Sequence, residues 1–172
     1  MPIVIELLQI ITLQRAPQDL RYDQGAAVLS FLGLLAMSYF INGMMVEYTA
    51  PLGYAIVQSC CQAVVIYGLL KWRDKSVRYV QTVSALFGTT VILQMLTLVA
   101  LQSSLFAAAS ILFSIWNFYL MIIILQAALD CSPLRSVIFT VAYHFITVMV
   151  LIIIYPNFPA EIAAMANPSG SS

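Results

Sequence analysis

The chain alternates long apolar runs with short polar breaks. Five of the runs are long enough to cross a bilayer, whose hydrocarbon core takes about 20 helical residues. They are predicted at residues 24–46, 51–70, 76–101, 105–129 and 133–155. The breaks carry turn and cap chemistry. Asp23 is placed to cap the first run, Asp74 the third and Ser132 the fifth. Pro51 and Pro133 stand where a first helical residue belongs. Gln102-Ser103-Ser104 turns the chain without any charge, and Pro156-Asn157-Phe158-Pro159 breaks the last run. Ala160–Ala166 has the composition for one more short interfacial turn, and residues 167–172 are flexible in composition.

Residues 1–23 follow another pattern. Glu6, Gln9 and Thr12 recur every third position from Met1 to Gln14, with apolar residues between them. That is an amphipathic helix with a narrow polar stripe, stopped before Pro17 and too short to span. It reads as a helix lying in the cytoplasmic interface, with a helix docked on the bundle as the alternative. An interfacial helix would be dispensable for folding of the five spans and free to bind a partner. Arg15–Asp23 is a polar linker. The predicted fold is therefore all-α: a polytopic membrane bundle of five transmembrane helices (residues 24–155), preceded by an N-terminal amphipathic interfacial helix and followed by a short outer tail (156–172).

Composition agrees. The 172 residues are 62% hydrophobic and 8% charged, against roughly 25% charged in soluble domains. A soluble fold of this size could not hide that much apolar surface. The formal net charge is zero, which gives no footing for nucleic-acid binding. Charge distribution adds sidedness. Lys71, Arg73, Lys75 and Arg78 form the only dense cationic cluster, between the second and third spans. The positive-inside rule makes it a cytoplasmic hairpin. All seven Lys/Arg, including Arg15, Arg21 and Arg135, then face the cytoplasm. The N-terminus is inside and the C-terminus outside, as in a small bacterial inner-membrane protein with a periplasmic tail. Met1–Gln14 lacks the basic region and cleavage site of a signal peptide.

Candidate chemistry is sparse. Cys60, Cys61 and Cys131 have no metal-ligand spacing, and no catalytic motif is present. No cofactor and no enzyme activity are expected. His144 is the single histidine, midway along the fifth span. Asn117, Gln58, Gln62, Gln94 and Thr140 lie near the same depth and form with it a candidate polar membrane core. Such groups bond one another across helices, so a His144–Asn117 pair between the fourth and fifth spans is expected. An intramembrane ionisable group is also a functional candidate, which makes a proton- or ligand-handling site the sharper reading. Ser84-x-x-x-Gly88 and Ser110-x-x-x-Ser114 permit close helix contact. Asp130 is expected to pair with Arg135 across a short loop. Glu47, at the far end of the first span, is read as exposed to outer headgroups, with a functional carboxylate as the alternative.

The Arg15-Ala16-Pro17 break after a first helix, followed by five closely spaced spans up to Tyr155, resembles the architecture of Yip1-type membrane proteins. The resemblance is one of span order and carries no functional residue with it. The leading expectation is a non-enzymatic scaffold, assembly factor or accessory subunit that binds a membrane protein or assembles with itself in the lipid bilayer. The alternative is a small oligomeric transporter or channel subunit with a polar site around His144. A polar cavity reaching His144 would favour the second, and a packed core the first.

Overall fold

A computed structural model describes residues 3–44, 50–100 and 106–159. Among them every regular element is helical. α1 is Ile3–Ile11, α2 Gln24–Met44, α3 Pro51–Trp72, α4 Tyr79–Ala100, α5 Phe106–Leu129 and α6 Pro133–Ile154. Single 3-10 turns lie at Pro17–Asp19 and Ser76–Arg78. The last five helices are long and apolar enough to cross a membrane, so this is an integral membrane bundle. Their bounds fall within three residues of those predicted. Glu47, the uncharged turn at 102–104 and the tail from Ala160 lie outside the described residues.

The cap chemistry is mixed. Asp23 Oδ1 accepts the Ala26 amide at 3.2 Å, as expected of a helix cap. Ser132 occupies the cap position of α6 with extended backbone, but its hydroxyl makes no cap bond. Asp74 does not cap α4. It sits at φ +56° in the turn that closes α3, where the Asp74 and Lys75 amides donate to Lys71 and Leu70 carbonyls. That is the left-handed helix terminator, built on aspartate instead of glycine. Asp130, at φ +46°, closes α5 in the same way through Cys131 N and Gln126 O.

The five spans close into a ring, α2–α4–α5–α6–α3, in which each packs on two neighbours. α4 is the most enclosed, with 44% of its apolar window buried. Large apolar side chains such as Phe87, Leu120 and Leu125 fill the core, and small polar ones share the buried faces. α6 buries Ser136, Thr140, Tyr143 and Thr147 while Ile138, Val141 and Phe145 are exposed. That pattern on α6 suits lipid as the solvent, where close helix contact needs small residues. The hydroxyls on α4 are satisfied locally: Thr82, Ser84, Thr89, Thr90 and Thr97 each donate to the carbonyl four residues back.

The Ser84-x-x-x-Gly88 face of α4 is where the chain packs most closely. Ser30 Oγ on α2 approaches Ser84 O at 3.5 Å, and the Phe31 and Phe87 rings meet at 6.1 Å. Gly88 admits α1. A Cβ there would lie 2.6 Å from Leu7 Cδ1 and 3.2 Å from Ser30 Oγ. Leu7 and Ile10 are buried in the bundle, Ile11 packs with Leu93 and Leu120, and Trp116 Nε1 donates to Ile11 O at 3.2 Å. Trp116 stands about 20 Å along α5 from its Leu129 end. α1 thus runs down to mid-bundle. The chain then doubles back, and Gln81 Nε2 donates to Leu20 O near the start of α4 at 2.8 Å.

This replaces the helix lying flat in the interface with the docked alternative: α1 and its return segment form a re-entrant hairpin. The backbone that leaves α1 is irregular, and its bonds fold back onto the helix. The Leu13, Gln14 and Arg15 amides donate back to Ile10 and Gln9 carbonyls, with Leu13 at φ +60°. Glu6, buried to 6% exposure, pairs with Arg15 at 3.2 Å. The hydrophobic pattern could not separate the two placements, because the stripe of Glu6, Gln9 and Thr12 suits either one. α1 thus joins the bundle through one face, which buries Glu6, Leu7, Ile10 and Ile11.

Gly88→Leu should therefore dislodge α1 and cost about 1–3 kcal/mol through overpacking. Thermal unfolding in detergent measures the cost, and a shifted Trp116 emission reports loss of the Ile11 contact. Unchanged stability and emission would mean that α1 is not seated against Gly88.

Candidate functional site

The six residues of the expected polar core do not form one network. Asn117 faces α4, where Thr90 Oγ1 lies 3.1 Å from its Oδ1. Gln94, Thr97 and Ser114 join them around a small cavity of about 130 Å³. His144 turns the other way. Its Nδ1 lies 2.9 Å from Thr140 O in its own helix, and its ring packs against Phe118 at 5.5 Å. The expected His144–Asn117 pair is absent, because the two side chains leave α6 and α5 on different sides of the contact between those helices. Thr140 is fully buried on the α6 inner face, and its hydroxyl has no partner among the described residues.

Gln58 and Gln62 do meet His144. With Asn42, Tyr54 and Thr147 they line a cavity of about 260 Å³. It lies in the half of the bundle opposite the basic hairpin. At its end away from the hairpin stands an aromatic cluster, in which the Tyr54 ring lies tilted at 4.2 Å from Tyr155 and 5.5 Å from Phe158. Gly53 makes that cluster possible, since any Cβ there would overlap the Tyr155 hydroxyl.

Each polar group comes from a stated place in the fold. Gln58 and Gln62 are one helical turn apart on α3, so they stack along one face. Thr147 lies on the small-residue stripe that packs α6, and its hydroxyl donates to Tyr143 O at 2.9 Å, leaving its lone pairs open. A neutral His144 ring bonded through Nδ1 carries its proton there and presents Nε2 as an acceptor. Its ring is exposed at the cavity rim.

Asn42 is the group that the sequence did not single out. It is 8% exposed, and its Nδ2 has no partner among the described residues. A buried donor left unpaired costs about 1–3 kcal/mol. Its signal in the sequence was only an asparagine near the end of an apolar run, which headgroup exposure explains equally well.

A broader groove, about 610 Å³, lies between the return segment and the hairpin-side end of α5. Its charged groups are already committed. Arg15 is paired with Glu6 and donates to Asp19 O. Asp130 bonds Lys75 at 2.8 Å and Arg78 at 3.0 Å, not Arg135. Burial pushes the Cys131 thiol up, away from thiolate character. The 260 Å³ cavity is the better candidate among the described residues: it pairs a polar lining with the unpartnered Asn42 donor, where the 130 Å³ cavity has an unpartnered acceptor, Gln94 Oε1.

The basic hairpin is a latch. Arg78 Nη1 also reaches the Ala127 and Ala128 carbonyls at 3.0 and 3.3 Å, so a cation caps the C-terminus of α5. Lys71 lies 6.0 Å from the Tyr67 ring, and Trp72 meets Phe139 edge-on at 5.8 Å. Arg73 Nε is buried without a partner among the described residues. The hydrogen bonds from Arg78 and Lys75 hold the Asp130 carboxyl down to about 2. Among the described residues no cluster of three His, Cys, Asp or Glu could hold a metal. No family model, curated protein or solved structure matches this chain.

The latch gives an ordered expectation. Arg78→Ala should lower the melting temperature more than Lys75→Ala, because it removes two carbonyl caps as well as an ion pair. A carboxyl held low in the fold stabilises it above the ordinary aspartate value of about 3.9 and loses that effect towards about 2. The gap in melting temperature between the native chain and Asp130→Asn should be constant from about pH 8 to 5, shrink below about 4 and close near 2. A gap that shrinks at neutral pH would contradict the latch.

Proposed function

We propose that this chain is a small integral membrane protein of the transport or ligand-handling class. Its cavity at Asn42, Gln58, Gln62 and His144 binds a polar molecule in the outer half of the bilayer. Asn42 carries the reading: an almost fully buried amide that lines the cavity and whose Nδ2 has no partner among the described residues. Polar groups at membrane depth that only hold helices together find one another, as Thr90 and Asn117 do. Those around His144 surround a larger open space, about 260 Å³ against about 130 Å³ beside Thr90 and Asn117. In the orientation given by the basic hairpin, the cavity faces the periplasmic side of a bacterial inner membrane. The protein works without enzymatic chemistry, by binding.

A second reading is supported by His144 itself. Its ring is exposed on the bundle surface at mid-span, where an ionisable group is costly in lipid unless something covers it. In this reading the chain is an accessory subunit or a homo-oligomer, and a partner helix covers that rim.

Single-cysteine labelling separates the two. In a chain whose Cys60, Cys61 and Cys131 are replaced by Ala, Gln62→Cys should react with a membrane-impermeant thiol reagent applied from the periplasmic side. No reaction in the purified monomer would remove the water-accessible cavity. Reaction in the monomer but not in the native membrane would favour a covering partner.

A further inference from the structure

The lining of the cavity limits what it can hold, and the limit deepens the reading of the cavity as a binding site. Among the described residues no charged side chain lines the cavity, so these walls offer a bare cation no carboxylate and an anion no Lys or Arg. The polar groups are instead three amides, an imidazole and two hydroxyls. A side-chain amide offers two donors and an acceptor in one plane. Hydroxyl groups on adjacent carbons present the complementary set, since each donates and accepts.

The walls give a second restriction. Tyr54 and Phe158, whose rings pack on each other with centroids 5.5 Å apart, add apolar ring surface to the lining beside the amides. A polyol has this dual character, with hydroxyls at its edge and a C–H face. Size gives a third. At about 260 Å³ the cavity is smaller than most sites for drug-sized ligands, which run from about 300 to 1,000 Å³. At roughly 30 Å³ per water it corresponds to about nine waters, enough for a glycerol or hexose unit but not for a chain attached to it. Access fits as well. His144 and Val148 line the cavity yet are exposed on α6, so the site opens sideways towards the membrane.

We propose that the cavity binds an uncharged, hydroxyl-bearing head of glycerol or hexose size. The amides of Asn42, Gln58 and Gln62 hold its hydroxyls, and its carbon face lies against Tyr54 and Phe158. The head can belong to a neutral lipid entering from the side or to a free polyol.

Melting curves of the full chain in phosphatidylcholine nanodiscs test this. The probes are monoolein in the disc, and glycerol or glucose in solution at millimolar levels, well below those at which polyols stabilise proteins by exclusion. Asn42→Leu is the variant. Removing an unpaired donor should raise the melting temperature of the unliganded protein, so its folding is not at risk. Monoolein raising the melting temperature of the native chain, but not of Asn42→Leu, establishes a lipid head. The same pattern with glycerol or glucose alone establishes a free polyol. No shift with any probe, or an equal shift in Asn42→Leu, overturns the proposal. If Gln62→Cys is water-accessible while no probe binds, the cavity stands and only the ligand class fails. If Gln62→Cys is inaccessible, both fail.

Discussion

Hydrocarbon offers no hydrogen bonds, so every polar group carried into a bilayer must be met by the protein or must mark a place where something else meets it. Most of this structure follows from that constraint. The α4 hydroxyls donate to their own helix, Ser136 Oγ donates across to Ile122 O on α5, and Thr90 takes Asn117 as a neighbour. Glu6 is carried inside only with Arg15. The return segment after α1 folds its amides back onto the helix it leaves. Asn42 Nδ2, beside a cavity, has no partner among the described residues and so departs from that pattern, as do Ser59, Gln94 and Thr140.

The same constraint explains the construction around α4. A helix that packs on α2, α5 and α1 must have a narrow surface, and Ser84 and Gly88 provide it. α1 gains its place through Gly88, and the anchors at its far end are the Trp116 indole and the Ile11 carbonyl. The hairpin side is tied separately. Lys75 and Arg78 converge on Asp130, joining the α3–α4 and α5–α6 connections. With that end tied and the α4 side packed, the open volume among the expected polar residues is left between α3 and α6 at the opposite end.

Much of this was legible in the residues. Run lengths and breaks located all five spans, because a bilayer fixes helix length and Asp23, Pro51 and Pro133 punctuate it. Three of the six expected polar residues, Gln58, Gln62 and His144, line one cavity. What could not be read was direction. Depth along a helix follows from counting, but the side on which Asn117 or His144 leaves its helix depends on ring order, and no local pattern encodes that. Asn117 was assigned to the wrong neighbour for this reason, and Asp130 to Arg135 instead of to residues more than fifty positions away. α1 was misplaced because its stripe fits a lipid interface and a protein groove equally well.

The central claim is that the cavity beside Asn42 is occupied space and not a packing defect. An experimental density map of the protein in a lipid nanodisc, at a resolution that shows ordered water, tests it most directly. The account predicts water or a ligand atom within hydrogen-bonding distance of Asn42 Nδ2 and continuous with Gln58, Gln62 and the rim at His144. A collapsed cavity, or an Asn42 amide donating to a protein group, would contradict it.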